Sequence, residues 1–255
     1  MTIHEYVDQL ERDTSISTFI EGDRDAEIDY VRSSLSRFER IARSVPNSNA
    51  SLRVLDIGTT PFTLYIKQTH PHYEVSTLDR TDLMAERCRR AGVQLTACNL
   101  DDAILPFDDE SFDVVIFTEV LEHIFAPPSD VLREVKRIMR PSGKLILGVP
   151  NIARLSERIK LLLGRSPLPE ADHQMNKDWQ HGHGHIHEYT RSEILSLCRA
   201  VDLQPTKVYM LAVNPLDMVR GRMKFHWKKF LYYSIVSLFP SFRGCIHVEC
   251  SKQTA

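Results

Sequence analysis

Apolar positions follow two rhythms along this chain. LRVLDI (Leu52 to Ile57) and VVIF (Val114 to Phe117) are short unbroken runs, too brief for helices. They predict strands buried on both faces, as in a parallel sheet. YEVSTLD, VQLTA and KLILGV add three more strands, and QPTKVYMLAV and CIHVECSK complete the set. Elsewhere the period is three to four. Ile28, Val31, Leu35, Phe38 and Ile41 predict one amphipathic helix over 25–45. Val131, Leu132, Val135, Ile138 and Met139 predict a second helix, capped at Ser129 after Pro127 and Pro128 end the element before it. Tyr189 to Val201 predicts a third, capped near Thr190. Strands alternating with helices imply an α/β domain with helices on both faces of a mostly parallel sheet.

In such sheets ligands gather beyond the carboxyl ends of the strands. FDVVIFTEVLEHI, Phe112 to Ile124, places chemistry there. With Thr118 as an N-cap, Glu119, Glu122 and His123 stand at i, i+3 and i+4 and share one face of a helix. Two carboxylates and an imidazole therefore open onto the expected ligand edge.

Composition narrows the partners. The 255 residues are 42% hydrophobic, enough for one large core, and Lys plus Arg number 32 against 34 for Asp plus Glu. A net charge of -2 creates no global field for nucleic acid. Cys88, Cys98, Cys198, Cys245 and Cys250 form no CxxC pair, and MTIHEYVDQLERD lacks a basic-then-apolar signal pattern. A reduced, cytoplasmic protein is expected. No apolar run reaches the roughly 18 residues that span a bilayer.

The first strand leads into DIGTTPFTLYI. This turn resembles the first motif of class I S-adenosylmethionine-dependent methyltransferases, DxGxGxG, with Asp56 and Gly58 in place but Thr60 and Phe62 where later glycines stand. Pro61 suits the first turn of a helix, while the bulkier loop narrows the cofactor cleft. Asp79 ends the second strand 21 residues after Gly58, a spacing that lets an acid accept hydrogen bonds from ribose hydroxyls. LPFDDESFDVV and LREVKRIMRPSGKLILGVPN resemble the methyltransferase type 11 group, which includes ubiquinone- and menaquinone-pathway enzymes. Asn99 takes the place of that group's usual Asp, and Leu100 that of the residue packed on adenine. Asp101 and Asp102 are read as solvent-facing acids. The resemblance covers roughly residues 50 to 150. It implies a Rossmann-like seven-stranded sheet whose last strand is antiparallel, S-adenosyl-L-methionine as cofactor, and contacts from Asp56, Gly58, Thr59, Asp79, Asn99, Leu100 and Thr118.

Residues 1–45 read as a helical lead-in, and 46–255 as the methyltransferase domain, with insertions at 151–188 and 214–243 forming a cap. The first insertion carries WQHGHGHIHEYT; His181 and His183 read as a solvated rim. Some family subsets join an ExxEH element to a later histidine around a divalent metal. That resemblance implies Glu119, Glu122, His123 and His185 as ligands, with His187 the alternative to His185 and Mg, Mn or Zn as the ion. Without metal, His123, His185 and Glu119 are the catalytic candidates, with a histidine as the base for methyl transfer to a hydroxyl. In the second insertion Arg220, Arg222, Lys224, Lys228 and Lys229 precede the run Phe230 to Phe239, with Trp227 at the junction. This order suits either a lid or peripheral membrane contact through 220–239. A small-molecule, lipid-linked or glycan acceptor is expected. The competing reading is a non-catalytic binding module whose degenerate loop no longer admits cofactor.

Overall fold

The computed structural model describes residues 1–12, 24–168, 184–213, 215 and 226–252. His181, His183, Arg220, Arg222 and Lys224 lie outside them. Seven strands, β1 (Arg53–Ile57), β2 (Glu74–Asp79), β3 (Gln94–Ala97), β4 (Phe112–Thr118), β5 (Met139–Pro150), β6 (Leu203–Leu211) and β7 (Cys245–Lys252), form one sheet in the order β3-β2-β1-β4-β5-β7-β6. Strands β1 to β5 pair in parallel, and β7 runs antiparallel between β5 and β6. The strand order reverses between β1 and β4. Their carboxyl ends therefore flank the crevice where such sheets bind ligands.

One face of the sheet carries α1 (Ile3–Arg12), α2 (Arg24–Ser33), α3 (Leu35–Ser44), α4 (Pro61–Thr69) and α5 (Ala85–Arg90). On the other, α6 (Pro128–Ile138) and α8 (Arg191–Ala200) bury Val131, Leu132, Val135, Ile194 and Cys198 against β4, β5 and β7. Helices α7 (Leu155–Leu162) and α9 (Trp227–Leu238) fall within the segments 151–188 and 214–243.

Two sequence expectations are corrected in detail. The helix over 25–45 is two helices, because Ser34 (φ -95, ψ 0) turns the chain between α2 and α3 while Val31 and Leu35 stay buried. Ser129 is not a cap. Pro128 starts α6 at the first helical position, where its missing N–H removes no helix bond, and Pro127 O accepts from Asp130 N at 2.9 Å.

Candidate active site

The glycine turn is built by its neighbours. Gly58 has φ 89, a conformation that costs glycine little, and its N–H donates to Leu78 O at 2.8 Å. A Cβ there would meet Val120 Cγ2 at 2.7 Å, so the turn packs directly on the segment leaving β4. Thr59 N donates to Asp79 Oδ2 at 2.9 Å, tying the ends of β1 and β2 together. Thr60 caps α4 in a reciprocal capping box with Thr63, and Pro61 is its first residue. Asp56 is buried, and its carboxylate accepts from Thr63 Oγ1 at 2.6 Å. Burial, partly countered by that hydrogen bond and reinforced by Asp79, pushes its pKa up to about 7.

Phe62 does not narrow the cleft. It is buried and stacks on Phe38 of α3 at 5.1 Å, and Tyr6 of α1 donates to Pro61 O at 3.0 Å. The amino-terminal helices thus accommodate the bulk that replaces glycine, on the side away from the ligand edge. Removing so buried a ring costs about 3 to 5 kcal/mol, which explains why the lead-in and this motif belong together.

Beyond β4 the chain departs from the expected helix. Thr118 remains in the strand, Glu119 adopts φ 58, and only Leu121–His123 forms a short 3₁₀ turn. A left-handed residue here reverses the direction of the side chains, so Glu119 and Glu122 part. Glu119 turns toward α3 and β7: Arg37 Nη1 lies 3.0 Å from Oε2, and Cys245 Sγ donates to Oε1 at 3.1 Å. His247 stands within 4.8 Å of both Cys245 and Glu119. Burial, followed by Arg37 and Arg40, drives its pKa down to about 3, so the ring is neutral.

Glu122 faces two histidines instead. It is 1% exposed, and neither carboxylate oxygen has a hydrogen-bond partner among the described residues. His123 Nε2 and His185 Nε2 each lie 4.0 Å from its Oε1, with the rings edge to face at 4.8 Å. Both tautomers follow from the opposite nitrogens. His123 Nδ1 meets Gly184 O at 3.0 Å, an atom that only accepts, and His185 Nδ1 meets Glu188 Oε1 at 2.9 Å. Each Nδ1 therefore donates a proton to its acceptor, and each ring turns its Nε2 toward Glu122. Burial, then Glu119, pushes the Glu122 pKa well up. Against its own burial, Glu188 is held below the carboxylate norm by His185 and Arg154, and so stays ionised. The backbone fixes this approach, since Ile186 N donates to Glu122 O at 2.7 Å.

Three of the four residues expected to converge do so, and Glu119 does not. The shared helical face is replaced by two clusters, one on each side of the β4 exit. His187 is also elsewhere, with its ring against Tyr189 at 4.7 Å and Nε2 3.7 Å from Glu193.

Comparison with known proteins gives this edge a context. Residues 55–147 match the methyltransferase-domain family. Over 219 residues the chain is 22% identical to the uncharacterised methyltransferase YodH of Bacillus subtilis, covering 82% of this chain and 87% of that one. A transposon protein of Streptomyces fradiae is 34% identical over 103 residues, and the match spans only 30% of its length. A crystal structure of an S-adenosylmethionine-dependent methyltransferase from Thermotoga maritima shares the fold, with TM-score 0.61 at 17% identity over 92% of this chain and 96% of that one. The chain belongs to the class I S-adenosylmethionine-dependent methyltransferases.

Of the residues expected to contact cofactor, Gly58 and Thr59 follow β1, Asp79 and Thr118 end β2 and β4, and Asn99 and Leu100 follow β3. Asp79 is half-buried at the rim with one oxygen engaged by Thr59. Asn99 is exposed and caps the turn Leu100–Asp102, while Leu100 packs on the core. Thr118 sits under Gly148, whose absent side chain would collide with it at 2.9 Å. Asp56 acts one step back, holding the turn through Thr63. Asp101 is not a solvent acid: its Oδ1 accepts from Phe125 N at 2.6 Å and Ala126 N at 3.3 Å, pinning the loop after β4 to the loop after β3.

Arg37, Arg154, Glu188, Cys245 and His247 were not foreseen. The last two had a local signal: Cys245, His247 and Glu249 alternate with apolar residues, a polar face on a central strand that invites a partner. Arg37 and Arg154 had none, because their roles depend on pairing across the fold.

Proposed function

We propose that this methyltransferase transfers its methyl group to a hydroxyl oxygen of a small amphiphilic molecule, lipid-linked or glycan precursor, and that Glu122, His123 and His185 act on that hydroxyl. The observation that carries the reading is the buried, unpartnered Glu122 carboxylate facing two oriented imidazole nitrogens. A buried carboxylate without a hydrogen bond is costly, and a cation or a proton donor relieves it. The donor types suit a divalent ion, and the N to O separations of 4.0 Å would close to about 3.4 Å around a tetrahedral one. Glu188 and Gly184 supply the outer hydrogen bonds that metal-bound histidines use. When bound, such an ion would lower the pKa of the acceptor hydroxyl.

The residues alone can also serve. Nε2 of His123 or His185 takes the hydroxyl proton as the oxygen forms its bond to the methyl carbon. The sulfur–methyl bond breaks with its electron pair going to sulfur, giving S-adenosylhomocysteine. Gly58, Thr59 and Asp79 would hold the nucleoside end, which places the work in alignment rather than covalent chemistry.

Peripheral membrane contact is part of the reading. On α9, Trp227, Leu231, Ile235 and Leu238 (73%) are exposed, and after α7's Ile159 come Leu161, Leu162 (86%) and Leu163. Lys228, Lys229, Lys160 and Arg165 accompany them. No described helix is long and apolar enough to cross a membrane, so the fitting role is interfacial.

The test is tritiated methyl transfer from S-adenosylmethionine into cell extracts. Label should enter organic-extractable material and survive mild base, as an ether does. Label confined to base-labile esters or to protein overturns the hydroxyl assignment. Calorimetry on Asp79→Ala should show S-adenosylhomocysteine affinity lowered by about tenfold or more; equal affinity removes Asp79 from the cofactor site. Flotation with phosphatidylglycerol vesicles at low salt checks the surface, and unchanged sedimentation leaves α9 as a lid.

A further inference from the structure

A groove of about 910 Å³ runs along the edge strand β6, beside α3 and the start of α8. Five arginines line it: Arg40, Arg43, Arg158, Arg191 and Arg243, against the single carboxylate of Glu39. Glu39 is already shared, 2.7 Å from His4 Nε2 and 3.7 Å from Arg43. Arg40 lies over the Tyr209 ring at 4.1 Å, and its buried Nε has no hydrogen-bond partner among the described residues. Stacking holds the guanidinium without neutralising it. Arg191 is exposed at the amino end of α8, where the helix dipole adds to the positive field.

The groove shares Ser36 and Leu211 with a second cavity of about 440 Å³, lined by Tyr232, Tyr233, Val236 and Phe242. Charge is balanced in this cavity. Arg37 pairs with Glu119, and Arg154 pairs with Glu157 and Glu188. Its walls lead to both clusters beside β4: Arg37 and Cys245 hold Glu119, while Arg154 reaches His185 through Glu188. A chamber with three aromatic rings and paired charges, one ion pair removed from His185, thus shares a wall with a strongly cationic channel.

We infer that the groove binds a phosphate or diphosphate group of the methyl acceptor, whose apolar body occupies the cavity. Five guanidinium groups around one channel suit a polyanion with several acceptor oxygens, and the paired charges of the cavity suit a neutral body. The word acceptor rests on the methyl-transfer reading; the binding of phosphate does not.

The experiment is equilibrium binding of inorganic pyrophosphate and geranyl diphosphate to the full chain and to the double variant Arg43→Gln/Arg191→Gln. Both changed residues are exposed, so the fold should persist. Geranyl diphosphate should bind about tenfold tighter than pyrophosphate, and the double variant should weaken both by about tenfold or more. No binding at millimolar ligand, or equal binding by the variant, overturns the groove. Equal affinity for the two ligands overturns the link to the cavity. Phosphatidylglycerol-vesicle binding that the double variant loses, with no binding of geranyl diphosphate by wild type, reassigns the arginines to a membrane headgroup and also overturns it. Calorimetry with S-adenosylhomocysteine on the same samples keeps the readings apart: its failure in wild type sinks methyl transfer, whatever the groove binds.

Discussion

Glu119 and Glu122 leave the same strand three residues apart and come to opposite ends. Glu119 is satisfied within the fold, with a guanidinium at 3.0 Å and a thiol at 3.1 Å. Glu122 is more deeply buried and, among the described residues, has no hydrogen bond to its carboxylate, though two imidazoles stand 4.0 Å away. In the first cluster the carboxylate is satisfied, and Glu119 reads as a brace between α3, β4 and β7. The second is incomplete, and buried polar groups left incomplete carry a cost that structure alone does not repay. One left-handed residue at the strand exit separates the two.

The largest expected effect follows from that contrast. Glu122→Gln keeps the shape and removes the charge, and should lower methyl transfer by about 100-fold. Treating wild type with a chelator should approach the same level if an ion sits there. Glu119→Gln should cost less than about tenfold, since its carboxylate braces Arg37 rather than facing the imidazoles. Initial rates with any labelled acceptor decide, and a larger loss in Glu119→Gln than in Glu122→Gln reverses the roles.

Stability should separate the pair by sign. Burial and Glu119 raise the Glu122 pKa above its ordinary 4.5, so as pH rises the unfolded chain releases that proton first. Its contribution to stability is full below about 4.5 and declines as pH climbs toward the folded value. In chelator, Glu122→Met should therefore gain on wild type between pH 4 and 8, by about 1 to 3 kcal/mol at the upper end. Glu119→Gln should lose about 1 kcal/mol, the scale of a partly exposed ion pair. Urea melts at several pH values measure both, and a destabilised Glu122→Met at pH 8 would mean that the carboxylate has a partner in solution.

Much of this was legible from the sequence, for reasons that differ by element. Buried strands such as Val114 to Phe117 declare themselves because both faces exclude polar residues. Strand, turn and acid at Asp56, Gly58 and Asp79 could be placed because their spacing is local. The helix after Thr118 could not be. Its i, i+3, i+4 pattern was sound, but Glu119 in the left-handed region is held by a bond from its N–H to Gly148 O at 2.9 Å and by Arg37, both supplied from elsewhere in the fold. His185 joined Glu122 as expected from its place before Glu188 and Tyr189. The bulk of Phe62 looked obstructive only because the sequence cannot show that α1 and α3 open a pocket for it.

The smallest effect tests the Glu119 cluster from its other side. His247 is buried with neither ring nitrogen hydrogen-bonded among the described residues, and burial with Arg37 and Arg40 lowers its pKa to about 3. A depressed histidine stabilises the fold fully above its unfolded value of 6.5 and loses that contribution as pH falls toward 3. Between pH 6.5 and 5.5 this amounts to about 1 kcal/mol. Glutamine at 247 cannot gain a proton, so His247→Gln should flatten the acid arm of the stability curve by that amount, whatever it does to the baseline. Parallel curves for the two proteins would show that His247 is reached by water or paired in solution. His247 would then be a satisfied member of the brace around Glu119, and Glu122 alone would carry an unmet buried charge.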